Sequence, residues 1–518
     1  MKQPNPERTP ILLGQIDTDN HIATTVSLFV ILLVVHRIGI SVYRLYFHPL
    51  RKFPGPRYLA ATELPYLYRN HLKGDWVRDM VGLHRKYGPV VRIAPNRLAL
   101  DGSIGWPQVF AHRGANQDEY AKVRGFLFPG DHEAIIAAPR DVHRRQRRQL
   151  AHAFSDGALI EHEPLICHYV SLLVQQLAKR AENNELIDIV KWLNFTTFDI
   201  IGDLTFGESF HSLDNSEYHP WVLTIFETIK GSAMGRFFAA YPIVRPLVVL
   251  SMGADRIKKL QEHQIFSKEK ARARMAAGAE PGRRDFMTYM LRDTRSGEKG
   301  LTTNEIEMNS PILITAGSET TATALSGFFF YLVQTPSAYD YLTKEIRSAF
   351  RNEDEINLRS TSSLQYLQGC IEETLRCYPP SAETPPRVSP GGEIDGRYVS
   401  SGTILSVYQW STFRNPQNFR DPDSFRPERW LPTSHPLHDV RFDNDNRSAF
   451  KPFSAGTRDC IGKKLAYSEM RLIISRILFR FDYEIAESQD DWHTSQLVFV
   501  IWDKGPLKIK LKPRTMTE

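Results

Sequence analysis

Cysteine is scarce in this chain of 518 residues: four occur, at Cys167, Cys370, Cys377 and Cys460, and no two form C-x-x-C. Such scatter argues against a disulfide framework and a structural zinc site, and fits folding in a reducing compartment. Charge of one sign is scarce too, since 65 basic and 59 acidic residues leave only +6. The basic run at 143–148 has no recognised nucleic-acid module beside it, so no nucleic-acid partner is expected. There is no internal repeat, no low-complexity tract and no Gly/Ser/Pro-rich linker after residue 60. A length that could hold several domains therefore reads as one large one. His162-Glu163 opens like H-E-x-x-H, but Ile166 stands where the second histidine belongs, which excludes a zincin.

Long hydrophobic runs are equally rare, and only 22–43 reaches a spanning length. Residues 22–35 are almost wholly apolar, and the apolar character resumes after His36 and Arg37. Arg37 can snorkel to the interface. Asp17 and Asp19 precede the run and Arg44, Arg51 and Lys52 follow it, which puts the rest of the chain in the cytoplasm. No clean small-residue cleavage site follows, which argues against a cleaved leader. The expected plan is a short lumenal N-terminus at 1–21, a transmembrane anchor at 22–43 and a linker at 44–60, followed by a catalytic domain at 61–518. Pro49, Pro54 and Pro56 make the linker stiff and extended.

The body carries apolar residues at three- and four-residue spacing over 164–185, 301–334 and 339–351. Period-two alternation is confined to 90–93, 98–100, 394–399, 403–408 and the tail. In the tail, 497–502 and 507–511 flank Asp503-Lys504-Gly505-Pro506, which predicts a hairpin. The fold class expected is mainly α with small β-sheets. Within 301–334 lies Ala316-Gly317-Ser318-Glu319-Thr320-Thr321, polar groups in the middle of an apolar helix, where they are costly unless used. Ala316 and Gly317 leave room for a planar ligand against the helix, and a threonine hydroxyl can bond back to the helix carbonyls. Pro311 predicts a kink or a late helix start.

The most specific pattern is Phe453-Ser454-Ala455-Gly456-Thr457-Arg458-Asp459-Cys460-Ile461-Gly462, or F-x-x-G-x-R-x-C-x-G. Cys460 falls where a loop enters a helix, whose unpaired N–H groups favour a thiolate. Gly456 and Gly462 let backbone lie against a large flat ligand. Arg458 offers a fork to a carboxylate. A flat ligand with carboxylates and a thiolate-accepting metal is haem.

This loop resembles the cysteine-ligand loop of cytochrome P450 enzymes at every fixed position, with Thr457 where proline is common. Other stretches agree. The 316–321 segment resembles the family's oxygen-activation motif A-G-x-[DE]-T-T. Glu373-Thr374-Leu375-Arg376, ahead of Tyr378-Pro379-Pro380, resembles its E-x-x-R helix. Phe425-Arg426-Pro427-Glu428-Arg429-Trp430 resembles F-x-P-E-R-F with Trp for Phe. His143 to Arg147 resembles W-x-x-x-R with His for Trp. Residues 46–50 look particularly like filamentous-fungal members, and the order of motifs along the chain resembles the fungal secondary-metabolism group that includes isotrichodermin hydroxylases.

The resemblance implies a P450 fold behind one membrane helix, in the endoplasmic reticulum membrane, with haem b ligated through its iron by Cys460. Phe453, Gly456, Arg458 and Gly462 would belong to the cofactor loop. Arg147 and Arg387 would meet the propionates, with His143 beside them. Glu319 and Thr320 would deliver protons, and Glu373, Arg376 and Arg429 would form a buried trio that locks the core. No flavin or nicotinamide module is attached, so electrons from NADPH would come from a membrane-bound cytochrome P450 reductase, with cytochrome b5 a second donor. Arg144, Arg145 and Arg148 are either a solvated face or a docking patch for that donor.

The activity implied is O2-dependent oxidation of an apolar small molecule, such as a terpenoid or polyketide. Its pocket would be lined by 101–135, 312–315 and 497–500. The alternatives are a P450-fold isomerase or dehydratase, and a non-catalytic haem protein.

Overall fold

The structure is a computed structural model, and it describes residues 18–114, 116–123, 133–241, 253–278, 283–292, 300–486 and 489–514. Most of the lumenal segment expected at 1–21, and the stretch 124–132 of the expected pocket wall, lie outside the described residues.

Helix α1 (Thr18–Tyr46) projects from the body. Its Ala23–Tyr46 portion has a mean hydropathy of 2.1, none of it is buried, and it is long and apolar enough to cross a membrane. The linker behind it is fixed. Arg44 Nη1 donates to Ala61 O at 3.0 Å, and Arg92 Nη1 donates to Arg44 O at 3.0 Å. The Arg92 N–H meets Pro54 O at 2.7 Å. A Cβ on Gly55 would lie 2.3 Å from Arg92 O, so only glycine permits this approach.

The body is helical, as expected. The long helices are α2 (Trp76–Tyr87), α3 (Arg140–Ala151), α4 (Asp156–Glu182), α5 (Ile189–Phe206), α6 (Pro220–Ala239), α7 (Gly253–Ala277), α8 (Thr303–Val333), α9 (Pro336–Ala349), α10 (Gln365–Cys377) and α11 (Lys463–Arg480). Helix α8 runs through the core, and almost every side chain from Ser318 to Leu332 is buried. It begins at a capping box, in which Thr302 Oγ1 accepts from the Glu305 N–H and the Glu305 carboxylate accepts from the Thr302 N–H. The late start expected from Pro311 does not occur, because the cap has fixed the helix two turns earlier and Pro311 lies inside it.

Twelve strands form four small sheets among the described residues. Strands β1 (Val90–Ala94), β2 (Arg97–Leu100), β3 (Ala121–Lys122), β5 (Arg387–Val388) and β8 (Ile404–Val407) make the largest, in the order β1-β2-β8-β5-β3. The single strand expected at 394–399 is two, β6 (Gly392–Ile394) and β7 (Arg397–Val399), reversed about Asp395 (φ 51°) and Gly396 (φ 71°). Asp-Gly suits that turn because both residues take left-handed backbone.

The tail also corrects the sequence expectation. Residues 497–502 do not pair with 507–511. Strand β10 (Leu497–Phe499) folds back on β11 (Ile501–Asp503) about Val500. Strand β12 (Lys508–Pro513) instead pairs with β9 (Phe481–Ile485) and β4 (Ile187–Asp188). Asp503-Lys504-Gly505-Pro506 thus connects two sheets, and Lys504 turns inward.

Candidate active site

Cys460 lies in the loop that leads into α11. Its N–H donates to Phe453 O at 2.9 Å and closes the loop. It is the exposed cysteine; Cys370 and Cys377 are buried in α10 and Cys167 is half-buried in α4. The Gly462 N–H bonds the sulfur, as the helix start suggested, and Arg147 adds its charge. Although the residue keeps accessible surface, the protein packed around the sulfur withdraws it from bulk water, and this desolvation outweighs both and pushes the thiol up from its ordinary value.

The loop glycines divide in role. Gly456 has φ 78°, and a Cβ there would fall 1.9 Å from Phe110 O, so its need for glycine comes from the chain beneath it rather than from a ligand. Gly462 is open, with Phe154 3.8 Å from where a Cβ would stand. Phe453 packs on Tyr467 with ring centres 5.0 Å apart. It lines a surface groove of 540 Å³ together with Trp430, Asp459 and Lys463.

Cations gather beside the cysteine loop. Strand pairing sets Lys122 of β3 opposite Arg387 of β5. Arg458 is buried, pairs with Glu119 and donates to Ala138 O at 2.9 Å. Arg147 of α3 forks onto Asp459, with Nη2 to Oδ1 at 2.7 Å. Arg387 is buried, lies 4.7 Å over the Phe110 ring, and makes a 3.4 Å bond to Tyr120 O.

The cost of the crowding shows in the titration. Burial, then Arg458, lowers Arg387 to about 9. Burial, then Arg387, Arg458 and Arg147, holds Lys122 well below the lysine range. His143 is buried, and its pKa is lowered to about 3 by burial and by these same four cations, so it is neutral and can donate from one ring nitrogen. Among the described residues, Lys122 and Arg387 have no acidic partner. Arg387 Nε and Arg458 Nη1 are buried without a hydrogen-bond partner. Buried like charges with open donors require an anion, and the two carboxylates of a haem fit them. Lys122 could not be found from the sequence, because its place is made by a two-residue strand.

The 316–321 segment faces two ways. Ala316 is exposed in a helix that is otherwise core. Thr320 is half-exposed and its Oγ1 donates to Ala316 O at 2.6 Å, the back-bond the sequence suggested. Gly317 does not face a ligand, for a Cβ there would strike Ile201 of α5 at 2.6 Å, so it serves helix packing. Glu319 is turned from Thr320. It is 2% exposed, and its Oε1 is paired with Lys504. Thr321 meets Glu469 of α11, whose carboxyl is pushed up to about 8 by burial, against the hydroxyl's opposing pull.

Glu373, Arg376 and Arg429 come together with no exposure. Arg376 donates to both Glu373 oxygens at 2.9 and 2.8 Å. Asp445 joins by pairing with Arg429. Trp430, at the place of the usual Phe, donates Nε1 to Glu373 Oε2 at 2.8 Å. Of the basic run on α3, Arg145 pairs with the capping Glu305, while Arg144 pairs with Asp141 at the surface. Arg145 is therefore an internal tie and no part of an exposed patch.

A cysteine loop beside a cluster of cations, two of which lack an acidic partner, together with a back-bonded threonine on the core helix, points to a haem-thiolate protein. Comparison with known proteins carries this to a family. The cytochrome P450 family model matches residues 61–511, and the chain belongs to the cytochrome P450 family. It is 42% identical over 485 residues to cytochrome P450 monooxygenase aclL of Aspergillus oryzae, covering 93% of this chain and 97% of that one. It is 39% identical to the trichothecene C-15 hydroxylase of Fusarium sporotrichioides, over 93% and 96%. It is also 39% identical to the averantin hydroxylase of Dothistroma septosporum, over 92% and 89%. The protein is an oxidoreductase of the P450 monooxygenase type, and membership implies haem held by a cysteine thiolate.

Proposed function

We propose that the protein hydroxylates, or otherwise oxidises, an apolar small molecule of the kind made in fungal secondary metabolism, using O2 and electrons that a separate reductase draws from NADPH. The observation that carries the oxygenase reading is Thr320, a half-exposed hydroxyl bonded back to Ala316 O at 2.6 Å within a helix that is otherwise core. An isomerase has no use for a proton donor at that place. Relatives named for hydroxylating a trichothecene and averantin support the same reading.

Cys460 would hold the iron, and Lys122, Arg387, Arg458, Arg147 and neutral His143 would hold the propionate edge. Once bound, the haem supplies the oxygen-binding metal and the oxidising power that places an oxygen atom on carbon. Thr320 Oγ1 holds a proton at a half-exposed place on α8. Apolar Ile312, Leu313 and Ile314 on the preceding turn exclude water. The trio of Glu373, Arg376 and Arg429 fixes α10 against the 427–430 turn.

Helix α1 would anchor the chain in the endoplasmic reticulum membrane with the body in the cytoplasm, on the side of Arg44, Arg51 and Lys52. Exposed Arg144 and Arg148 on α3 suit docking by an acidic reductase or cytochrome b5. The test is full-length protein reconstituted with NADPH–cytochrome P450 reductase and offered extracts from a strain lacking the gene. A product that needs both NADPH and O2 supports the reading. A product formed with neither would make the protein an isomerase or dehydratase.

A further inference from the structure

The largest sheet turns a polar face toward the core. Pairing sets Arg97 of β2 beside Ile404 of β8, and Ala99 beside Ser406. Side chains alternate along a strand, so Arg97 and Ser406 share one face. Leu98, Leu100, Leu405 and Val407 take the other, in an apolar cluster with Trp106 and Phe110. Glu383 reaches the polar face from the segment that follows α10. The Thr384 N–H donates to Val407 O at 3.0 Å and the Trp410 N–H to Ala382 O at 3.2 Å, which pins that segment to the end of β8.

This face has open hydrogen-bonding valences. Glu383 Oε1, Arg97 Nε and Ser406 Oγ are buried without a hydrogen-bond partner, as is Nδ1 of His71 in the helical turn Tyr68–Lys73. Glu383 is 7% exposed. Burial raises its carboxyl above the ordinary value, against the pull of Arg97, Ser406, Arg236 of α6 and Tyr408. Arg97 is turned elsewhere, 4.6 Å over the Tyr66 ring and 4.0 Å from Glu63 Oε1. The neighbouring phenols, by contrast, are served: Tyr408 accepts from Trp76 Nε1 and Tyr66 from Asn70 Nδ2, each at 3.1 Å. His71 is neutral, lowered to about 2 by burial, then Arg236 and Arg97.

We propose that Glu383, Arg97 and Ser406 form a polar subsite that takes a neutral hydroxyl group on an otherwise apolar substrate. The inference rests on the reading of an apolar small-molecule substrate above and narrows it to a molecule that already carries oxygen. A wholly apolar ligand would leave buried donors and acceptors unpaired, at a cost for each. An amine would meet Arg97 and Arg236, and a carboxylate would meet Glu383. A hydroxyl supplies both a donor, for Glu383 Oε1, and an acceptor, for Arg97 Nε. The subsite is close to the cofactor: Glu383 stands four residues before Arg387 of the cation cluster, a stretch of chain that spans at most about 14 Å.

Dodecanol and dodecyl methyl ether test this, because a flexible chain adapts to the shape of the pocket and only the alcohol can donate. Both are titrated into the haem-loaded full chain in lipid vesicles and read by the change in haem absorbance. The ratio of the two affinities is compared between wild type and variants, so that partition into lipid cancels. The preference for the alcohol should fall about tenfold in Glu383→Leu and survive in Glu383→Gln, whose amide oxygen still accepts. Wild type needs no variant for a second reading: its infrared spectrum with dodecanol minus that with the ether should contain a shifted carboxyl band, which Glu383→Gln lacks. Dodecanol that does not bind, a ratio unchanged in Glu383→Leu, or no carboxyl band would overturn the assignment and leave buried water as the occupant. Wild type that consumes no NADPH with reductase would sink the monooxygenase reading instead, and the binding ratios would still judge Glu383.

Discussion

Arg429 Nε lies 3.3 Å from Glu373 Oε2, and neither side chain has any exposure. Burial alone would raise the Glu373 pKa, but Arg376, Arg429 and the Arg426 N–H outweigh it and hold the carboxyl below its ordinary value. Removing one member leaves buried charge uncompensated, which typically costs about 3–5 kcal/mol. Glu373→Gln should therefore unfold at markedly lower denaturant and retain little haem. Because the folded pKa is depressed, the trio's stabilisation is present above the ordinary glutamate pKa and is lost as pH falls through the folded value. Denaturant midpoints of wild type and mutant should converge in acid, and a constant gap would contradict the pairing.

Reduced, CO-bound protein should show the strongly red-shifted Soret band of a thiolate haem, and Cys460→Ser should lack it. Survival of the band in the mutant would move the ligand elsewhere.

Thr320→Ala should fold, load haem and bind substrate as wild type does, yet form product about a hundredfold more slowly. NADPH consumption should continue, with peroxide released in place of product. The measurement is product and peroxide per NADPH. Unchanged coupling would reduce Thr320 to a packing residue.

Glu469 titrates in the opposite sense to Glu373. Its folded pKa of about 8 lies above the ordinary 4.5, so its contribution to stability falls as pH rises between the two values. Each unit of pH across that window costs about 1.4 kcal/mol. Glu469→Gln keeps a partner for Thr321 and removes the titration. The variant should melt higher than wild type at pH 8, with the gap closing toward pH 5. Parallel melting curves would show that the carboxyl is not a buried acid.

Deleting residues 1–43 removes most of the one described helix that is both long and apolar enough to cross a bilayer. Part of the truncated protein should leave the membrane fraction on sedimentation. A full-length protein found wholly in the supernatant without detergent would refute the anchor.

Much of the site was legible because its residues come from contiguous motifs. The cysteine loop, the E-x-x-R pair and Arg429 each sit in a short pattern whose spacing carries meaning. Lys122, Asp445, Glu469 and Lys504 were not legible, because each reaches its partner only through pairing or packing between distant segments. Gly317 and Gly456 were legible as glycines, but the neighbours that demand them, Ile201 and the Phe110 carbonyl, come from elsewhere in the chain. The tail misled for a related reason. Asp503-Lys504-Gly505-Pro506 has turn chemistry, yet chemistry of a turn does not say which strand waits on the far side, and β12 found β9.

Arg92 bonds Arg44 O and takes Pro54 O on its own N–H, which stitches the linker to the first sheet. In the anchored arrangement proposed above, the catalytic body would be no balloon on a string. Its elevation and tilt over the lipid would be fixed by the fold, like an instrument on a bracket. A reductase floating in the same leaflet would then have only a planar search and one rotation left to make before the two surfaces meet.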